Sequence, residues 1–165
     1  MSERERLQPS LLDRLTDDDP SNPRESREER VLSPRQLRAG VLRDLSWLLN
    51  TGHLADLEDL SAYPEIQRSV INYGTPDLSG CASSGLDIAE IERAVRQSII
   101  DFEPRIIPST VRVRAVVSEA MNTNALRFEI TGDLWAEPLP EHLFLRTDID
   151  LESGSAEVRE TRGPD

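Results

Sequence analysis

DIAEIERAVRQSIIDFEPRIIPSTVRVRAVV, residues 87–117, changes its hydrophobic period from helical to extended within a single stretch. Ile88, Ile91, Val95, Ile99 and Phe102 recur at three- and four-residue spacing, which predicts an amphipathic helix. Asp87 with Glu90 supplies a capping box at its start. Pro104 ends it, because the residue before a proline is pushed out of the helical region. From Thr110 the period is two: Val111, Val113, Ala115 and Val117 alternate with Arg112, Arg114 and Val116, the pattern of a strand with one face wet.

Downstream the alternation continues. A turn at Asn122-Thr123-Asn124 leads to Leu126, Phe128 and Ile130, alternating with Arg127 and Glu129. After Gly132-Asp133 and the Pro138-Leu139-Pro140 break, Leu143, Leu145, Thr147, Ile149 and Leu151 form a third run. Three alternating runs with short turns read as an antiparallel meander. Upstream, Ser33 and Gln36 form a capping box, Pro34 takes the first helical position, and Leu37, Val41, Leu45 and Leu48 define a core stripe. Leu42, Leu49 and Trp47 widen that stripe, and Gly52 lies beyond the end. Tyr63-Pro64-Glu65-Ile66 opens a shorter helix expected to carry Ile66, Val70 and Tyr73 on one face and to stop at Gly74. The expectation is an α+β fold: one small domain of amphipathic helices packed on a three-stranded antiparallel sheet.

The flanks differ from this middle. In Gln8-Pro9-Ser10-Leu11-Leu12-Asp13-Arg14-Leu15, Ser10 is a cap candidate and Leu11, Leu12 and Leu15 share one side of a short helix. A helix that short does not persist alone in water, so it must dock on something. Asp17-Asp18-Asp19-Pro20 and the residues after it read as a tether. The division is a docking motif and linker over 1–31, a domain over 32–151, and a disordered acidic tail over 152–165.

The chain has 165 residues, 37% of them apolar, and a formal charge of −12. That charge disfavours docking on nucleic acid or anionic lipid. Every basic side chain is arginine, which genome composition explains more cheaply than any partner does. No apolar run is long enough to cross a bilayer, and the charged N-terminus does not read as a secretory signal, so the expected address is the cytosol. Cys81 is alone, with no histidine or arginine nearby to activate it, and is read as an incidental thiol. No metal ligand set and no cofactor motif is present.

Between helix and sheet lies Phe102-Glu103-Pro104-Arg105-Ile106-Ile107. Pro104 forces an extended backbone, so Glu103 and Arg105 should project from one side. They emerge among Ile99, Ile100, Phe102, Ile106 and Ile107, where opposite charges are tolerated as a pair or against a partner's charges. Spacing alone favours an ordinary ion pair at a helix exit.

Four stretches carry a resemblance. Gln8–Leu15 looks like the N-terminal motif of the TssE family of type VI secretion systems. Ser69-Val70-Ile71-Asn72-Tyr73-Gly74-Thr75-Pro76-Asp77-Leu78-Ser79-Gly80 is similar to that family's central segment. Glu103-Pro104-Arg105 falls where its Glu-Pro-Arg signature does, and Ile130 through Asp150 resembles its closing strands. The broader group is the phage baseplate wedge, or lysozyme-like tail protein, family.

The resemblance implies a structural wedge subunit, not an enzyme, that works with TssF, TssG and TssK and joins the wedge to the sheath subunits TssB and TssC. It places the protein in the cytoplasm, at the cytoplasmic side of the inner membrane once assembled. It makes Leu11, Leu12, Leu15, Glu103, Pro104 and Arg105 partner-binding, with strands added to the sheet by a sheath subunit. Two other readings stand beside it: a peptidoglycan-cleaving lysozyme-like enzyme, and a free-standing adaptor binding by strand addition. For the enzyme, Glu90, Glu92, Asp101, Glu103 and Asp133 are the candidate carboxylates. However, Asp87 and Glu90 read as caps, Arg105 would lower the Glu103 pKa, and few aromatics exist to stack on sugar.

Overall fold

A computed structural model describes residues 10–16, 33–79, 87–116, 125–135 and 140–161. Its elements are α1 (Leu11–Leu15), α2 (Pro34–Leu49), α3 (Pro64–Gln67), α4 (Ile88–Phe102), β1 (Arg112–Val116), β2 (Ala125–Leu134), β3 (Glu141–Asp150) and β4 (Ala156–Glu160). Helix α2 begins with the expected capping box: the Ser33 hydroxyl accepts from Gln36 N–H, and Gln36 Oε1 accepts from Ser33 N–H. At the start of α4 the Asp87 carboxylate accepts from Glu90 N–H at 3.1 Å. Both helices turn their apolar stripes inward, Leu37, Val41, Leu45 and Leu48 from one and Ile91, Val95 and Ile99 from the other.

The sheet is a four-stranded antiparallel meander in the order β1-β2-β3-β4. Its register puts Val113 opposite Ile130 and Ile130 opposite Leu145, so one apolar row crosses three strands under the helices. The inward residues are those the alternation names: Val111, Val113, Phe128, Ile130, Leu143, Leu145, Thr147, Ile149 and Leu151 are all buried. Losing one such fully buried side chain to alanine costs about 2–5 kcal/mol, so this layer sets the register of the sheet.

Two expectations need correction. The sheet has four strands, not three, because Ala156–Glu160 in the expected acidic tail pairs with β3 from Ile149↔Ala156 to Leu145↔Glu160. The helix expected through Ile66, Val70 and Tyr73 is broken into α3 and a 3-10 turn over Val70–Asn72, and Val70 is 82% exposed. Polar side chains compete with the backbone there. The Ser69 hydroxyl donates to Ile66 C=O and accepts from Ile71 N–H, while the Asn72 amide donates to Gln67 C=O and accepts from Ala55 N–H. Cys81, Val117 and the Asn122–Asn124 turn lie outside the described residues.

Glycine is required where the chain returns after this turn. Gly74 has φ +135°, and a Cβ there would lie 2.3 Å from Thr51 O. The close approach lets Thr75 N–H donate to Thr51 C=O and Thr75 C=O accept from His53 N–H, tying the central segment to the end of α2.

Candidate functional site

The exit of α4 is built as Pro104 dictates. Glu103, the C-cap, sits at φ −121°, ψ 79°, while its N–H still donates to Ile99 C=O. The elbow then pairs briefly with the end of β2: Ile107 N–H donates to Asp133 C=O and Trp135 N–H to Arg105 C=O. Contact there is close enough that a Cβ on Gly132 would fall 2.8 Å from Ile106 Cγ2.

Glu103 and Arg105 do meet, as an ion pair with one member buried and the other partly exposed. Glu103 is buried, 3% exposed. Its Oε1 accepts from Arg105 N–H at 3.1 Å and from Arg105 Nε at 2.7 Å, and its Oε2 accepts from Nη2 at 2.5 Å. The same Nη2 donates to Asp44 Oδ2 on α2, also at 2.5 Å. Burial opposes the charge of Arg105, yet the hydrogen bonds and charges of Glu103, and then of Asp44, raise its pKa above the ordinary arginine value. Pro104 between them is exposed.

The chain of charges runs further. Arg43 Nε donates to Asp44 Oδ1 at 2.8 Å, and Arg43 Nη1 donates to Asp13 Oδ1 at 2.7 Å. Asp13 is the third residue of α1 and completes a capping box with Ser10, whose N–H and hydroxyl both donate to Asp13 Oδ2. Burial works against ionising Asp13, but the Ser10 and Arg43 hydrogen bonds and the Arg43 charge outweigh it and hold its pKa below the usual aspartate value. Gly40 lies against this seat, where a Cβ would be in ordinary contact, 3.5 Å from both Arg105 Nη1 and Asp13 Oδ2. Helix α1 is therefore fixed to α2 by charge, while Leu11, Leu12 and Leu15 face outward at 71, 43 and 74% exposure.

The central segment reaches the same place. Tyr73 packs edge-on against Phe102, with ring centroids 5.3 Å apart. Its hydroxyl pKa is raised by burial and by the nearby charges of Asp44 and Glu103. Arg43 lies over the exposed Trp47 ring, 5.1 Å from its centroid.

Asp13, Gly40, Arg43, Asp44 and Tyr73 thus belong to the site that Glu103 and Arg105 announce. The sequence held one weak sign of this. Gly40, Asp44 and Trp47 fall on one flank of α2 beside its core stripe, the kind of surface that accepts a neighbouring element. Nothing in the spacing linked Asp44 to a residue sixty positions later.

Of the carboxylates considered for hydrolysis, three besides Glu103 are engaged in internal contacts. Glu92 Oε1 accepts from Ala115 N–H, Asp101 pairs with Arg68 and accepts from Gln97, and Asp133 pairs with His142. No group of three histidine, cysteine, aspartate or glutamate side chains among the described residues is placed to hold a metal ion. No helix of the described residues is long and apolar enough to cross a membrane.

The sequence profile described as baseplate wedge protein gp25 matches residues 35–139, well over half of the chain. Searches of curated proteins and of solved structures found no match. The matched stretch runs from α2 through the end of β2, so it contains Asp44, Tyr73, Glu103 and Arg105, while α1, β3 and β4 lie outside it. With its helix-exit ion pair and its small α+β fold, the chain belongs to the gp25 family of baseplate wedge proteins.

Proposed function

We propose that this family member is the TssE-type wedge subunit of a type VI secretion system, a non-catalytic part that links the wedge to the contractile sheath. The observation that carries the reading is convergence. Three of the four stretches that resemble TssE, distant in sequence, come together beside α2. The N-terminal motif through Asp13 and the elbow through Glu103 and Arg105 share one ion chain, and the central segment packs next to it through Tyr73 on Phe102. An ion network of this kind, in which Glu103 is buried and the other members are partly exposed, contributes little net stability compared with apolar packing, so its use is better sought in holding a surface in one shape.

On this reading TssF and TssG bind the surface formed by the α1 leucines and the elbow, close to TssK, and the sheet takes an extended strand from TssB or TssC. The assembly sits in the cytoplasm against the inner membrane. The buried Glu103 fixes Arg105, and Arg105, Asp44 and the leucines are what a partner meets.

Reconstitution with TssF, TssG and TssK, followed by mass measurement, tests this. The triple variant Leu11→Ser/Leu12→Ser/Leu15→Ser should keep the melting temperature of the isolated chain and lose the wedge complex. Full assembly by that variant refutes the partner role of α1. Peptidoglycan turnover by the purified chain would favour the hydrolase reading. The engagement of Glu92, Asp101, Glu103 and Asp133 in internal contacts argues against that outcome.

A further inference from the structure

Each nitrogen of a guanidinium is a donor, and a buried donor without a partner marks where an acceptor fits. Two such nitrogens lie beside α2. Arg105 commits Nε to Glu103 and Nη2 to Glu103 and Asp44, while its Nη1 is buried and bonds to no described residue. Arg43 commits Nε to Asp44 and Nη1 to Asp13. Its Nη2 is 2.8 Å from Asp44 Oδ1 but off the direction of a hydrogen bond, and it too is buried without one. Arg105 Nη1 and Asp13 Oδ2 flank one point, each 3.5 Å from where a Cβ on Gly40 would stand.

Asp13 fills this place incompletely. Its Oδ1 accepts from Arg43 Nη1 at 2.7 Å. Its Oδ2 is engaged by its own helix, accepting from Ser10 N–H at 3.2 Å and from the Ser10 hydroxyl at 2.7 Å. Both lone pairs of that oxygen are thereby used, and none is left for Arg105 Nη1. A carboxylate free of a capping box has one oxygen for each guanidinium, the two-point recognition to which arginine is suited.

The seat of α1 is also weak. Among the described side chains one hydrogen bond joins α1 to the domain, from Arg43 Nη1 to Asp13 Oδ1, and its two side chains are 33 and 18% exposed. Ion pairs so open to water contribute little. Leu11, Leu12 and Leu15 face outward, and five residues are too few to hold a helix by themselves. Residues 17–32 join α1 to the start of α2, enough chain at full extension to span about 50 Å. Exchanging Asp13 for another carboxylate leaves the charge of the cluster unchanged, so the swap adds no repulsion.

We propose that Arg43 and Arg105 form a carboxylate site, held by Asp13 in the free chain and taken over by an aspartate or glutamate side chain of a wedge partner as α1 lifts away. Asp13 is the placeholder, and its presence there shows which chemistry the site accepts. Glu103 and Asp44 stay in place and keep the two guanidiniums aimed. Helix α1, once released, brings its leucines to the same partner. The source of the incoming carboxylate rests on the wedge reading; the site does not.

Sodium acetate, titrated into the full chain against sodium chloride at equal ionic strength, tests the site through the Nε–H signals of Arg43 and Arg105. In Asp13→Asn acetate should shift both signals saturably and chloride should not. The parent should need about two- to fivefold more acetate, the factor set by one partly exposed ion pair that holds the site closed. Adding Arg43→Gln to Asp13→Asn should abolish saturation at Arg105. Shifts that chloride reproduces, or a parent that binds acetate as readily as Asp13→Asn, overturn the site. Purified TssF–TssG then tests the source. Asp13→Asn should bind it at least as tightly as the parent, and Arg43→Gln about tenfold more weakly. Both variants unseat α1, so their opposite effects separate the site from the helix. Lost binding in Asp13→Asn, or unchanged binding in Arg43→Gln, overturns the exchange. No binding by the parent removes the wedge reading and leaves the acetate result to decide the site.

Discussion

Arg105→Ala asks whether the elbow ion pair holds the fold before it holds a partner. Glu103 is 3% exposed and accepts three hydrogen bonds, all from Arg105. Truncation keeps the backbone N–H and removes both guanidinium bonds, so a buried carboxylate loses its counter-ion. Breaking a buried pair from one side costs about 3–5 kcal/mol. Asp44, whose side chain is 25% exposed, loses a better solvated contact worth at most about 1 kcal/mol. At roughly 4 °C per kcal/mol for a domain of this size, the melting temperature should fall about 10–20 °C. Urea unfolding should show the loss as a lower midpoint with an unchanged slope. The paired variant Glu103→Met/Arg105→Met removes both charges at similar volume and should recover most of the loss. Wedge assembly by that paired variant then reports on the charges alone, free of the stability effect. An Arg105→Ala chain within about 0.5 kcal/mol of the parent would refute the reasoning, because surface substitutions behave that way and stranded buried charges do not.

Thr147→Val should raise stability by about 1 kcal/mol, since the Thr147 hydroxyl is buried and has no hydrogen-bond partner among the described residues; a lower urea midpoint would count against this. Gly74→Ala should cost about 3 kcal/mol, because its φ is +135° and the new Cβ would press on Thr51 O, which is backbone and cannot turn aside; a change under about 0.5 kcal/mol would contradict it. Asp13 has a folded-state pKa below its ordinary 3.8, so its contribution to seating α1 is present above that value and lost as pH falls through the lowered one. Amide exchange in α1 should hold steady from neutral pH down to about pH 4, once corrected for intrinsic rates, and accelerate only in stronger acid. Release already near pH 6 would mean that Asp13 does not hold the helix.

What the sequence could express was periodicity and caps. Ser33 with Gln36 placed the start of α2, and the alternation from Val111 to Leu151 named the inward residues of three strands. β4 escaped because Ala156-Glu157-Val158-Arg159-Glu160 carries little apolar signal. Its extended form comes from the β3 backbone on one side and from Asn50, more than a hundred residues earlier, on the other. The broken helix after Pro64 escaped for a related reason: Ile66, Val70 and Tyr73 keep helical spacing, while Ser69 and Asn72 redirect the backbone bonds. At the site, Glu103-Pro104-Arg105 was visible as a tripeptide with a geometric consequence. Asp44, Arg43 and Asp13 were not, since ion pairs between distant helices leave no period behind.

Helix α2 is where the separate contacts become one mechanical unit. Its core stripe packs on the sheet, one flank carries Gly40, Asp44 and Trp47 towards the elbow and α1, and the opposite flank begins with Arg38. The Arg38 guanidinium pairs with Glu160 on β4 and with Glu141 on β3, while Asn50 at the far end plugs Ala156. The helix is about 24 Å long at the usual rise per residue, and its hydrogen-bonded backbone makes it stiff along that length. Contacts to β3, β4 and the elbow are thereby tied to one helix. On the proposed reading, a subunit joining a contracting sheath to a wedge would carry load along this helix, whose side chains towards β4 and towards the elbow are already held in ion pairs and an amide contact.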